Sequence, residues 1–201
     1  VENEPSLDIA KGLAAGAARA LELAQVRHAS PVVIGVTGPV ASGKSSLARM
    51  LGGSIIPTDA YLPNYDAVPE LERDRPEHAD LDLLTRNLGE LRRAGRTRIP
   101  VWSFHTHRRE SLREIALESD IIVVEGIHAL DDRILPALDL RVLVDAPPAV
   151  RWGRWEHIET SGQRGWGVDM ARDHFDRVAE PTFLSRIEAL RRVADLIVWN
   201  A

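Results

Sequence analysis

The sequence predicts a three-layer α/β domain around a five-stranded, mostly parallel sheet, and three observations predict it. Short apolar runs recur without polar alternation, at Val32 to Val36, Ile55 and Ile56, Ile121 to Val124, Arg141 to Val144, and Leu196 to Trp199. Such runs suit strands buried on both faces. Segments of helical character separate them, which points to helices covering the sheet. Finally, no clean linker divides the 201 residues, so one domain with a substantial core is expected over 1–201.

Taken in order, residues from about Ser6 to His28 read as an amphipathic helix. Leu7, Ala10, Leu13, Ala14, Ala17, Leu21 and Ala24 share one side, and Pro31 stops it, giving an N-terminal helical unit over 1–30. Residues 57 to 80 carry Pro57, Pro63, Pro69 and Pro76 among scattered charges and read as a long functional loop. It opens an insertion, 57–110, between the second and third of the apolar runs. Residues 151 to 168 combine Arg151, Arg154 and Arg164 with Trp152, Trp155 and Trp166, then Gly162, Gly165 and Gly167. This pattern reads as a helix followed by a mobile turn, a helical lid.

Composition narrows the function classes. Hydrophobic residues are 44% and charged residues 27%, the profile of a globular protein. A formal charge of -5 gives no general attraction to nucleic acid or anionic membrane, so a phosphate site must be local. No Cys is present, which removes disulfides, Cys-based zinc and a thiol nucleophile and agrees with a reducing cytoplasm. The apolar runs are far too short for a membrane span. The first residues are acidic and lack the cationic start of a signal peptide. A homo-oligomer is left open.

The strand VVIGVT runs into Gly38-Pro39-Val40-Ala41-Ser42-Gly43-Lys44-Ser45 and the helical SLARML. This is G-x-x-x-x-G-K-S in its confirming context: buried strand, tight loop, helix start. Gly38 and Gly43 allow backbone angles and close approach that a Cβ would block. Consecutive amides and the positive helix end then face phosphates, which sets residues 38 to 46, Ser46 included, as an ATP cradle. Lys44 should reach the β- and γ-phosphates and Ser45 should hold Mg²⁺. The plainer alternative is a glycine turn closing a strand–helix unit.

Two acids suit the same chemistry. Glu125 ends the run Ile121 to Val124, and beside the loop strand it would sit near Mg²⁺. Asp59 follows the short run Ile55-Ile56 and would face the same crevice, where it could take the proton of an attacking hydroxyl. Each could instead be an ordinary strand-end or turn acid. Trp102 and Phe104 lie on one side of an extended stretch after Pro100, which suits stacking on a flat ligand or plain core packing.

Several segments together resemble the uridine kinase and phosphoribulokinase group of P-loop kinases, which includes type I pantothenate kinases. Thr58-Asp59-Ala60-Tyr61 is similar to the family's D-x-F-Y, whose Asp is the catalytic base, and Tyr61 is placed with the acceptor. Arg73-Asp74-Arg75-Pro76 with Ala79-Asp80 resembles F-D-H-P-D-A, whose first Asp holds ribose hydroxyls, a role this implies for Asp74. Ile99 to Arg109 resembles I-P-x-Y-D-F-x-x-H-x-R, whose aromatics and His line a base pocket; that implies Trp102, Phe104 and His107 here. Val124-Glu125-Gly126-Ile127 matches the family's E-G-I, and Glu180-Pro181-Thr182-Phe183 with Ala194 to Ile197 its closing helix and last strand.

The sequence departs from that pattern. Trp102 stands for Tyr, Ser103 for Asp, and Arg73 for an aromatic; Glu156 and His157 replace an Arg-Asp pair in the lid. The resemblance implies a P-loop NTPase fold and ATP-dependent phosphorylation of a small metabolite's hydroxyl, with a nucleoside ahead of pantothenate, a sugar or glycerate. Arg151 and Arg154 would close over the triphosphate, and Arg164 would act on the transferring group. A regulatory nucleotide-binding ATPase is the reading from another class. The lid-like segment and candidate pocket speak against it, and no N-K-x-D guanine-reading motif is present.

Overall fold

The computed structural model describes residues 8–27 and 29–201. In chain order the elements are β1 (Asp8–Lys11), α1 (Leu13–Gln25), β2 (Val32–Thr37), α2 (Lys44–Leu51), β3 (Ser54–Pro57), α3 (Leu81–Ala94), β4 (Arg96–Ser103), β5 (Arg108–Ala116) and β6 (Ile121–Glu125). There follow β7 (Leu140–Asp145), α4 (Pro148–Thr160), α5 (Val168–His174), α6 (Glu180–Leu184), α7 (Ile187–Val193) and β8 (Leu196–Trp199). One π-helical turn, Phe175–Ala179, joins α5 to α6.

Six strands form one sheet in the order β1-β8-β7-β2-β6-β3, and every neighbouring pair is parallel. Alternation along buried strands feeds two cores. Val32, Ile34 and Val36 face α1 and α2 with Val142, Val144 and Val198. Val33, Ile122, Val124 and Leu143 face α3 and α7. In α3 the residues Leu81, Leu84, Leu88 and Leu91 recur at helical spacing and bury one stripe, while Asp80 caps its start by accepting from the Leu83 amide at 3.1 Å.

The sheet has one strand more than the sequence predicts. Asp8–Lys11, read as helix, pairs with β8 at the sheet edge. Gly12, at φ +84°, breaks that strand from α1, so the helix starts at Leu13. Ser6, Leu7 and His28 of the expected helix lie outside the described residues. Within 57–110, the stretch 57–80 is a chain of 3₁₀ turns, as its prolines suggest, whereas α3 belongs to the core. Strands β4 and β5 form a separate antiparallel hairpin.

Tyr61 corrects another expectation. It is fully buried in the α3-side core, and its hydroxyl donates to Asn87 Oδ1 at 2.9 Å. Asn87 in turn donates to Thr97 Oγ1 and the Arg98 carbonyl. Tyr61 thus ties the 3₁₀ segment to α3 and β4, with its hydroxyl engaged by Asn87 in the core instead of in the acceptor role expected of it. We expect Tyr61→Phe to lose about 1–3 kcal/mol by leaving a buried amide oxygen unpaired, with acceptor KM unchanged. Denaturant melts alongside steady-state kinetics check both.

Candidate active site

The parallel sheet aligns the chemistry at one edge. Val36, Glu125 and Pro57 form one row across β2, β6 and β3. Gly38 and Asp59 each lie two residues beyond that row, so loop, Glu125 and Asp59 meet at the carboxyl ends of neighbouring strands. They open onto one cavity of about 700 Å³, lined also by Lys44, Ser45, Ser46, Asp74, Phe104, His107, Arg154 and Arg164.

The loop fits a triphosphate. At Gly38 (φ +150°) a Cβ would fall 2.0 Å from the Val144 carbonyl oxygen, so only glycine lets the chain turn there. Ala41 takes a left-handed φ of 56°, an unusual angle for a residue with a side chain. Val40, Ala41 and Gly43 line the cavity, while the Ser42 hydroxyl is buried without a partner among the described residues. Lys44 Nζ donates to the Pro39 carbonyl at 2.7 Å, a neutral partner for a buried cation. Burial pushes the Lys44 pKa down, against the pull of Glu125 and Asp59. A cation so placed is well suited to an arriving anion.

The two side chains expected to hold magnesium are already paired with each other. The Ser45 hydroxyl lies 3.2 Å from each Glu125 oxygen. Burial, then the nearby Asp59 carboxylate, raises the Glu125 pKa. Burial raises Asp59 as well, helped by Asp74 and opposed by Arg164 and Lys44. Among the described residues no cluster of three His, Cys, Asp or Glu could hold a metal alone. A hydroxyl and one or two carboxylates fit Mg²⁺ that completes its shell with phosphate oxygens and water.

The three arginines separate. Arg164 sits over the Phe104 ring at 4.3 Å and the Trp155 ring at 5.7 Å, inside the cavity. Arg154 lines the cavity but reaches the loop backbone, with Nη1 3.5 Å from the Ala41 and Ser42 carbonyls and Nη2 3.1 Å from that of Asn200. Arg151 does not join them. It is 2% exposed, donates to the Ala146 carbonyl and forms a two-pronged ion pair with Glu180, so it clamps α4 to α6. Arg151→Ala strands that carboxylate, and we expect a loss of about 3–5 kcal/mol of stability, measured by thermal or urea melts.

The residues expected to hold the acceptor differ most from expectation. Trp102 follows a bulge in β4, is 9% exposed and packs beneath Tyr65 at 5.2 Å, outside the cavity. Phe104 and His107 do reach it, from the hairpin turn. His107 stacks on Tyr65 at 5.2 Å and under Trp166 of the lid at 4.9 Å, and burial lowers its pKa. Asp74 faces the cavity but pairs with His174 Nε2 at 3.4 Å.

Sequence reasoning missed Tyr65, His174 and Asn200 as site residues. Tyr65 sits in the same Pro-rich loop as Asp74, and its aromatic among prolines was a usable signal. His174 is one polar residue on a helix and Asn200 one residue past a strand; neither carries a pattern. The segment expected to act as a lid has a small apolar core around Trp155, Ala171 and Phe175 that packs on Val40 and Ala41 of the loop.

Comparisons with known proteins identify the family. The model of the phosphoribulokinase / uridine kinase family matches residues 64–200, which take in Asp74, Glu125, Arg164 and β8. A uridine kinase from Clostridium tetani is 30% identical over 181 residues, or 84% of this chain and 86% of that one. A Silicibacter sp. protein provisionally described as a fructose transport system kinase superposes with TM-score 0.70 and 20% identity, covering 92% of this chain and 98% of its own. Phosphoribulokinase from Rhodobacter spheroides gives TM-score 0.55 and 19% identity over 84% of this chain and 69% of its own. These two likenesses speak for the fold. No described helix is long and apolar enough to cross a membrane. The chain belongs to the phosphoribulokinase / uridine kinase family and is an ATP-dependent phosphotransferase that acts on a hydroxyl group.

Proposed function

We propose that this kinase phosphorylates the hydroxyl of a nucleoside, with Asp59 as the base. The observation that carries the proposal is one cavity holding both the phosphate loop and Asp59. Asp59 takes the proton of the acceptor hydroxyl as its oxygen attacks the γ-phosphorus in line. Lys44 and Arg164 offset the charge spread over the transferring oxygens. Ser45 and Glu125 would hold Mg²⁺, which neutralises the β- and γ-phosphates when bound. Trp166 and Arg164 roof the site and keep water from competing as acceptor.

Uridine kinases among the relatives support the nucleoside. Asp74 supports it too: with Oδ2 toward His174, its Oδ1 is free of described partners and could accept from ribose hydroxyls. The stacking surfaces for a base would be Tyr65, His107, Phe104 and Trp166, with Trp102 supporting Tyr65 from beneath. We expect Trp166→Ala to raise the nucleoside KM by about 5- to 150-fold, the scale of 1–3 kcal/mol per stacked base. Steady-state kinetics at saturating ATP measure this.

One observation favours a second reading. His107 lies 4.9 Å from Trp166 and 5.2 Å from Tyr65, so no gap for a base exists between these rings. A sugar, glycerate or pantothenate would leave the stack closed, whereas a base slotted between these rings would have to part them. A kinase assay over nucleosides, sugars and hydroxy acids decides between them. Product from a nucleoside, with a change in tryptophan fluorescence on its binding, is expected. Product from a non-nucleoside alone selects the second reading, and acceptor-independent phosphate release the regulatory ATPase.

A further inference from the structure

We propose that Asn200 is a positioning residue of the phosphate loop, one that turns the Gly43 amide into the cavity by holding the Ser42 carbonyl outward. Asn200 lies one residue past β8, and its backbone is pinned there by a bond from its amide to the Asp145 carbonyl at 2.8 Å. From that anchor its side-chain Nδ2 donates to the Ser42 carbonyl at 2.8 Å. Arg154 closes the arrangement from the lid helix. Its Nη2 donates to the Asn200 carbonyl at 3.1 Å, and its Nη1 stands 3.5 Å from the Ser42 carbonyl.

A trans peptide plane carries its C=O and N–H in opposite directions. Fixing the Ser42 oxygen toward Asn200 therefore aims the Gly43 N–H the other way, into the cradle. That amide and those of Lys44, Ser45 and Ser46 have no acceptor among the described residues, as expected for a helix start that binds an anion. Asn200 also gives Gly43 a second reason to be glycine. A Cβ at Gly43 would fall 2.6 Å from Asn200 Nδ2, so a side chain there would push the clamp away. The loop includes the left-handed Ala41, a conformation that persists only where the surroundings hold it. Asn200 and Arg154 are such surroundings, contributed by the carboxyl end of β8 and by α4.

The inference rests on reading the loop as a triphosphate site and is independent of the acceptor. Its test uses inorganic tripolyphosphate and ATP as separate probes, measured by calorimetry on the whole protein. Asn200→Ala should weaken both by the same factor, roughly three- to tenfold, the scale of one hydrogen bond, and should raise the ATP KM while leaving the acceptor KM alone. Asn200→Gln keeps the amide but displaces it by a methylene, so it should show a smaller loss in the same direction; it decides the matter should the alanine variant not fold. Unchanged tripolyphosphate affinity in a folded variant overturns the inference. So does a loss confined to ATP, which would place Asn200 against the nucleoside end instead. If the wild-type protein binds no tripolyphosphate and no ATP, the triphosphate reading of the loop fails first.

Discussion

Lys44→Ala is expected to abolish phosphoryl transfer, by about a thousandfold or more, in a protein that stays folded. The size of the effect follows from where the ammonium sits. It is buried in the cradle, its only described hydrogen bond goes to the neutral Pro39 carbonyl, and Glu125 and Asp59 are the acids whose charge acts on it. Charge developing on the transferring group would find there a desolvated, preplaced cation, which counts for more than one in water. The survival of the fold has the same origin. A buried cation without a carboxylate partner in contact is a cost to the folded state, so removing it should leave the melting temperature unchanged or higher. Turnover and thermal melts of the purified variant test both halves. Wild-type-like turnover from a folded Lys44→Ala protein would remove the loop from the mechanism.

Local grammar made part of the site legible in the sequence. The glycine loop announces itself because its glycines, its lysine and its flanking strand and helix are contiguous. Glu125 and Asp59 come to line one cavity because each ends a short apolar run, and in a parallel sheet strand ends converge. Where tertiary packing decides, the sequence was mute or misleading. Tyr61 and Trp102 look like pocket aromatics in an extended chain, yet a 3₁₀ turn and a β-bulge point them into packed interiors. Arg151 looks like its neighbour Arg154, but the helix rotates it onto Glu180. The strand Asp8–Lys11 is four residues long and exists only because β8 offers an edge. His174 and Asn200 enter the site from about a hundred or more residues beyond the groups they touch, a relation no window of sequence contains.

Asp59→Asn should lower turnover by at least about a hundredfold, the usual scale for losing a general base, with ATP affinity little changed. Asparagine keeps the shape and cannot take the proton, so the loss should fall on kcat. The pH profile sharpens the test. Burial raises the Asp59 pKa, with Asp74 adding and Arg164 and Lys44 opposing, so ionisation is completed only above the ordinary aspartate range. The base works when ionised; the wild-type kcat/KM should therefore fall with acid from a higher pH than an exposed aspartate would give. Glu125 is raised as well, partly by Asp59, so the acid limb belongs to the pair. In Asp59→Asn that like charge is gone. The Glu125 pKa should then fall, and the residual activity should keep its acid limb to lower pH than the wild type does. A variant whose main defect is weaker ATP·Mg²⁺ binding, with the acid limb unmoved, would make Asp59 a metal ligand and send the search for the base elsewhere along the cavity.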